Sequence, residues 1–444
     1  MTTSTVAVVS ALLALFILMS SGAPIAFALA GAGVVGLWLL RDVQLVSAVL
    51  AATPFDASGS FSLVVIPMFV LLGAFATRAG IAEDVFRVSQ KLIGHLPGGL
   101  ALATVAACAG FGAVSGSSNA MVASLAPAAV GEMRKHGYQA SFAAGVVASA
   151  GTLAIMIPPS VTLVLYAIIT EESIGACLTA GILPGLLSAA IYIITVLFIG
   201  KRYPSVVGRA AGALSSPRKA PPISARDFAA LLKVLLLFSV VMGGIYGGLF
   251  TPTEAAALGA VVALIMLLVT GFPRWIDVGR QILASLAECV NVTSFIFVIL
   301  IGASIFSYFL VAAGVPSAFA AWAVSLQAPP LLIVGVLLLA IIPMGMFLDP
   351  ISIMLIVLPL AHPVVTQFGF SGVWFAVVVT QSIEIGLVTP PFGLNVFIVA
   401  SASKVSAEDT YAGIMWFLPT QFVILLILFF VPVISTWLPG YMGT

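Results

Sequence analysis

Charge is what this sequence has least of. Its 444 residues carry 15 Asp and Glu, 16 Lys and Arg and three His, and only 7% are charged. A water-soluble globule is ordinarily about a quarter charged, so a soluble fold is excluded. The net charge of +1 leaves no basic footprint for nucleic acid. Cysteine is equally sparse. Cys108, Cys177 and Cys289 lie far apart in apolar runs, with no metal-ligand spacing and no expected disulfide. His95, His136 and His362 are scattered as well. There is no H-E-x-x-H, no G-x-S-x-G and no P-loop. An enzyme is therefore not expected, and any uphill movement must draw on an ion gradient rather than on ATP bound by this chain. The N-terminus lacks a basic leader, the first Lys or Arg being Arg41. The first apolar run is expected to be a retained helix rather than a cleaved signal.

Apolar residues make up 62% of the chain, and its mean hydropathy is +1.25. That places it in lipid, with room for roughly a dozen spans of ~20 residues. The first run, about 5–40, is interrupted by Ser21-Gly22-Ala23-Pro24. It reads as two short spans, or as one span and a re-entrant piece. Only residues 201–233 form a polar stretch of any length. They hold Lys201, Arg202, Arg209, Arg218, Lys219, Arg226 and Lys233 against the single acid Asp227. The excess of positive charge places this linker in the cytoplasm. Pro217, Pro221 and Pro222 suit a linker, part of which could lie as a helix on the membrane surface.

The chain repeats itself on either side of that linker. Pro127, Gly137, Pro158 and Pro159 recur as Pro359, Gly369, Pro390 and Pro391, each 232 residues on. Gly80 pairs with Gly314 at an offset of 234. Residues 1–200 and 234–444 are thus two related halves. Two similar halves, each with an interrupted hydrophobic helix at a matching place, form the pattern of a secondary transporter. If the halves are inverted, each crosses an odd number of times, and both termini lie opposite the linker, on the periplasmic side in a bacterium. Each Pro-Pro reads as the tip of a re-entrant hairpin or the gap of a broken helix. Ser160 to Ile169 supplies only ~15 Å of helix, half a bilayer, and the twin prolines favour a hairpin over a simple kink. Either way, freed backbone groups need partners.

Four constellations carry candidate chemistry. In Phe111–Ala120, "FGAVSGSSNA", Gly112 and Gly116 allow close backbone approach, while Ser115, Ser117, Ser118 and Asn119 offer oxygens. Such oxygens suit Na+, and they equally suit close helix packing. In "MGMFLDP" Gly345 precedes the second break, and Asp349 is an ion ligand or, slightly favoured, an N-cap ahead of Pro350. In "GLVTPPFGLN" Gly386, Thr389, Phe392 and Asn395 surround the break, with the intramembrane acid Glu384 upstream. "TPTE" at 251–254 has the form of a capping box and no more.

Taken in order, the segments "GAPIAFALAG", "IPMFVLLGAF", "SGSSNA", "GEMRKHGY", "IPPSVTLVLYAIITEESIG", "AGILPG", "GGLFTPTEAAALGA", "FLDPISIMLIVLP" and "TPPFGLN" resemble the large membrane subunit of tripartite ATP-independent periplasmic (TRAP) transporters, the DctM-like proteins. The resemblance runs nearly end to end. It implies an all-α polytopic, inverted-repeat elevator transporter of the ion transporter superfamily with two re-entrant helical hairpins, near 158–159 and 390–391. It also implies a multi-pass protein of the bacterial inner membrane that imports an organic acid with Na+ as coupling ion. A small four-helix, DctQ-like membrane subunit and a DctP-like periplasmic binding protein would be its partners. By motif, one Na+ site would use Ser115, Ser118, Ala154, Ile157 and Pro159, and the other Gly345, Gly386, Thr389 and Phe392, mostly through backbone oxygens. Ala154 stands where the second half has Gly386, which puts the first site's backbone geometry in question. The substrate would sit near Ser117, Asn119, Pro159, Pro391 and Asn395. A stand-alone Na+/divalent-anion symporter and a non-transporting membrane scaffold or sensor are the competing readings.

Overall fold

The computed structural model describes residues 3–40, 43–208, 222–271 and 275–442. Arg41, Arg209, Arg218, Lys219, Pro217 and Pro221 lie outside them. Every regular element among the described residues is helical. The first part comprises α1 (Thr3–Ser20), α2 (Ile25–Leu40), α3 (Val43–Ser58), α4 (Val65–Arg78), α5 (Ile81–Ile93), α6 (Gly99–Ser115), α7 (Ser118–Lys135), α8 (Ala140–Ala150), α9 (Leu153–Met156), α10 (Val161–Thr170), α11 (Ile174–Ala180) and α12 (Ile182–Arg202). The second comprises α13 (Ala225–Phe238), α14 (Pro252–Gly271), α15 (Trp275–Ala312), α16 (Val315–Ser325), α17 (Pro330–Phe347), α18 (Pro350–Gln367), α19 (Gly372–Val388), α20 (Leu394–Ser403), α21 (Ala407–Ile414), α22 (Leu418–Phe430) and α23 (Val433–Met442). Among the described residues seven helices are long and apolar enough to cross a membrane, or nine if each bent pair is one span. The rough dozen expected from composition counts shorter apolar helices such as α2, α6 and α19 as well.

Two sets of helices emerge from the packing. In the first, α2 lies along α1 and α15, while α4 lies along α14 and α15. Helix α15 has 38 residues, about 57 Å at 1.5 Å per residue and longer than a bilayer core. In the second set, α6–α12 interlock with α17–α22. The halves exchange partners there: α10 packs on α18, and α20 packs on α7.

Backbone details extend the repeat beyond the matching letters. Gly80 and Gly314 are left-handed N-caps at φ 75° and 71°, and Gly137 and Gly369 turn at φ 84° and 81°. Glu171 and Lys404, which share no chemistry, both close a helix at positive φ, 58° and 56°. The Pro158–Pro159 and Pro390–Pro391 peptides are both cis.

At 158–159 the segments Ala140–Met156 and Val161–Thr170 meet at a bend of 44°, the geometry of a broken span or of a re-entrant loop. A second interruption precedes it. Only Gly116 and Ser117 separate α6 from α7, and the two helices pack side by side. Leu348 and Asp349 separate α17 from α18 in the same way. A left-handed Gly116 (φ 62°) makes the first of these turns possible.

Asp227, the linker's lone acid, is buried and accepts from Lys91 Nζ at 2.6 Å and Arg87 Nε at 3.2 Å. It also completes a capping box with Ser224. The start of α13 is thereby tied to the amphipathic α5.

Small residues set the closest crossings. A Cβ on Gly413 would lie 1.8 Å from the Ser141 carbonyl oxygen, where α21 crosses α8, whereas one on Gly131 meets nothing within 4 Å. Gly413→Ala should therefore lower the thermal unfolding midpoint, an overpacking cost of about 1–3 kcal/mol. Gly131→Ala should be neutral or stabilising by up to about 1 kcal/mol. Scanning fluorimetry on the two purified variants checks both.

Candidate functional site

The first tip and the first break touch. A Cβ on Gly116 would sit 2.5 Å from the Pro159 carbonyl oxygen, so only glycine admits this approach. The Val161 N–H donates to the Gly116 carbonyl at 3.4 Å. One peptide thus joins the α6–α7 turn to the α9–α10 break. Ser115, Ser118 and Pro159 of the first proposed ion set are brought together here. Ser115 is buried, and its Oγ has no hydrogen-bond partner. Ser118 Oγ accepts from Asn395 Nδ2 at 2.6 Å, while Asn395 Oδ1 is buried without a partner. Ile157 caps α9 in extended conformation (φ −77°, ψ 123°) and ends the helix just before the prolines.

Ala154 needs no special backbone. It lies within α9, in helical conformation, so the limited backbone freedom of alanine does not disturb the site. The close approach is supplied from the other side, since a Cβ on Gly112 would fall 2.9 Å from the Ala154 Cα. In the second half both residues are glycine. A Cβ on Gly386 would lie 2.5 Å from the Gly345 Cα and 2.7 Å from the Ile342 carbonyl oxygen. These glycines serve helix contact between α17 and α19 rather than positive φ.

The second break has a different setting. Thr389 ends α19 in extended conformation, and its Oγ1 donates to the Ile385 carbonyl at 2.5 Å. Its Oγ1 lone pairs remain free to face a cation. Residues 157–160 are wholly buried, but Pro390, Pro391 and Phe392 are exposed. Phe392 is 54% accessible and lies against Phe347, with ring centroids 5.3 Å apart. The Pro391 carbonyl accepts from the Tyr411 hydroxyl at 2.8 Å.

Both tips open onto one cavity of about 450 Å³, lined by Ser115–Ala120, Asp349–Ile351 and, from α15, Glu288 and Asn291. Of the proposed substrate residues, Ser117 and Asn119 line it. Asn395 stands behind it through Ser118, and Pro159 through Gly116. Pro391 does not reach it. Glu288 and Asn291 were not singled out from the sequence; their spacing in an apolar run places them on one helix face. Both acids at this cavity are already offset. Arg78 Nη1 reaches Glu288 Oε2 at 2.7 Å. Asp349 accepts from the Ile351 and Ser352 N–H groups at 3.0 and 3.1 Å and from the Ser352 hydroxyl, so it is the N-cap of α18. At α7 the cap is weaker, with Ser117 Oγ accepting from Ala120 N at 3.4 Å. The start of α7 therefore keeps the stronger pull on an anion. Thr251–Glu254 is a capping box: Glu254 Oε2 accepts from Thr251 N at 2.8 Å and from its hydroxyl at 2.9 Å.

This architecture of paired tips and paired breaks has relatives. A model of the family described as "Tripartite ATP-independent periplasmic transporter, DctM component" matches residues 12–434. The chain belongs to that family. It is 34% identical over 401 residues to the C4-dicarboxylate TRAP transporter large permease protein DctM of Pseudomonas aeruginosa, covering 89% of this chain and 90% of that protein. It is 30% identical to the 2,3-diketo-L-gulonate TRAP transporter large permease protein YiaN of Escherichia coli, covering 93% and 94%. Among solved structures, the Alcanivorax borkumensis YdaH transporter shares the fold at a TM-score of 0.59 and 13% identity, over 91% of this chain and 90% of that one. A DctM component is a multi-pass membrane transporter protein, not an enzyme.

Gly116→Ala tests the joint between tip and break. The added methyl meets the Pro159 carbonyl, and the positive φ penalises any side chain. A loss of about 1–3 kcal/mol is expected, read as a lower unfolding midpoint in detergent. The same substitution at Gly248, also at positive φ but with nothing within 4 Å, should cost less.

Proposed function

We propose that this chain is the permease subunit of a Na+-coupled, three-part importer that carries an organic acid across the bacterial inner membrane. The observation that carries this reading is the contact of the Ser115–Ser118 tip with the Pro158–Pro159 break beside a cavity shared by both halves. The contact gathers hydroxyl and carbonyl oxygens in an apolar interior. Na+ is a hard cation and takes such donors without a buried formal charge. Ser115, Ser118, Ala154, Ile157 and Pro159 would hold one ion, and Gly345, Gly386, Thr389 and Phe392 the other.

The cargo is argued from the cavity. Its acids are neutralised by Arg78 and by the first turn of α18, while the start of α7 attracts negative charge. A carboxylate fits there, between Ser117, Asn119 and the start of α18. The relatives named for C4-dicarboxylate and for 2,3-diketo-L-gulonate transport point the same way. Alternating access follows as an elevator: α6–α12 and α17–α22 form the moving body, and α1, α2, α4, α14 and α15 the support. Both termini would face the periplasm and the basic linker the cytoplasm, with positive charge retained inside. The remaining parts of the system would be a small four-helix membrane subunit and a periplasmic binding protein that delivers the acid.

Reconstitution tests this. The chain is placed in proteoliposomes with its small subunit and binding protein, and uptake of radiolabelled succinate and diketogulonate is measured. Uptake should need all three proteins and an inward Na+ gradient, falling to background when any is omitted. Uptake by this chain alone would point to a stand-alone symporter, and uptake indifferent to Na+ would remove the ion coupling.

A further inference from the structure

The tip cavity has a neighbour. Val70, Gly73 and Ala74 of α4 line the cavity, and one turn further on Thr77 and Arg78 line a second hollow of about 460 Å³. Glu83, Asp84 and Arg87 of α5, with Arg226 and Lys233 of α13, supply the rest of its charge. Arg226 and Lys233 end the basic stretch that joins the two halves, so the hollow lies toward the linker.

One ion pair stands between the two spaces. Glu288 lines the cavity, Arg78 lines the hollow, and Arg78 Nη1 reaches Glu288 Oε2 at 2.7 Å. The same nitrogen lies 3.4 Å from the carbonyl oxygen of Ala74, a cavity residue. The guanidinium therefore sits at the boundary. It is engaged through one nitrogen only: among the described residues, its Nε and Nη2 donate to no acceptor. An arginine fork holds a carboxylate best through two parallel N–H groups, and that edge of Arg78 is open.

The other charges decide what the hollow accepts. Four cations line it against two acids. Asp84 is taken by Arg87 at 2.7 Å and by Lys233 at 3.0 Å, and Arg87 also meets Asp227. Glu83 lies in the first turn of α5, where the helix start offsets a negative charge. Arg226 is exposed and meets no acid among the described residues. The cationic groups left free are Arg226 and the open edge of Arg78. Cations gathered in a recess draw an anion from the adjoining space.

We infer that this hollow is a second carboxylate site, a release station for the carried acid, in which Arg78 takes the carboxylate over from the cavity and Arg226 draws it toward the linker. Glu288 holds the guanidinium at the boundary, and the cargo docks on the fork that Glu288 leaves open. The inference rests on the import reading above and adds a step to it, after loading at the start of α7.

The test separates loading from release. In the reconstituted three-protein system, uptake of radiolabelled succinate and diketogulonate is measured against the concentration of loaded binding protein. The wild type is compared with Arg78→Gln, Arg226→Gln and the exchange Arg78→Glu/Glu288→Arg. Arg78→Gln should lower the maximal rate about tenfold, the loss of one charge-assisted hydrogen bond. Because release follows loading, the half-saturating concentration should stay the same or fall. Arg226→Gln should act in the same direction more weakly, and it carries the test if Arg78→Gln does not fold. The exchange keeps an ion pair but moves the cation to α15. Its unfolding midpoint in detergent should match the wild type while the maximal rate stays low. Full maximal rates in both glutamine variants overturn the inference. So does a raised half-saturating concentration at an unchanged maximal rate, or an exchange variant that recovers uptake along with stability. A wild-type system that takes up neither acid removes the import reading itself, and does so before any variant is made.

Discussion

Everything in this molecule is arranged around helix ends that stop inside an apolar body. Where water is excluded, each freed N–H and C=O must be met by protein or by a ligand. The Gly116 peptide meets Pro159 and Val161 directly. Asn395 crosses from the second half to meet Ser118 of the first. Because α10 packs on α18 and α20 on α7, the two halves close around the interruptions together. The fold and the candidate site are therefore the same set of contacts.

The two halves are related but not interchangeable. Serine caps α7 and aspartate caps α18, which leaves one helix start more attractive to an anion than the other. The first break is sealed, whereas the second shows Pro390, Pro391 and Phe392 at the surface. Alanine at 154 faces glycine at 112, while two glycines meet at 345 and 386. Each difference keeps the repeat's geometry and changes its access or its charge.

Much of this was legible in the letters. The 232-residue repeat, the apolar runs, the capping box at Thr251–Glu254 and the cap at Asp349 follow from spacing and side-chain chemistry that act over a few residues. The angle of the first break did not, because prolines mark a break without fixing its direction. Beyond the 44° bend, α10 packs on α18 and α19, helices distant in sequence. The left-handed Glu171 and Lys404 were equally hidden, since neither residue type announces positive φ. Glu288 and Asn291 sit in a run where a polar residue looks incidental until other helices are placed around it. Pro391, expected near the substrate, is exposed and does not line the cavity at the two tips.

The central claim is that both tips and one cavity serve a single carboxylate beside Na+. A cryo-electron microscopy map of the chain with its small subunit, recorded in saturating Na+ and a transported acid, tests it most directly. Carboxylate density against the start of α7 at Ser117–Asn119, within the cavity shared with Asp349–Ile351, is the expected result. Density for the acid elsewhere, with that cavity filled by side chains, would contradict it.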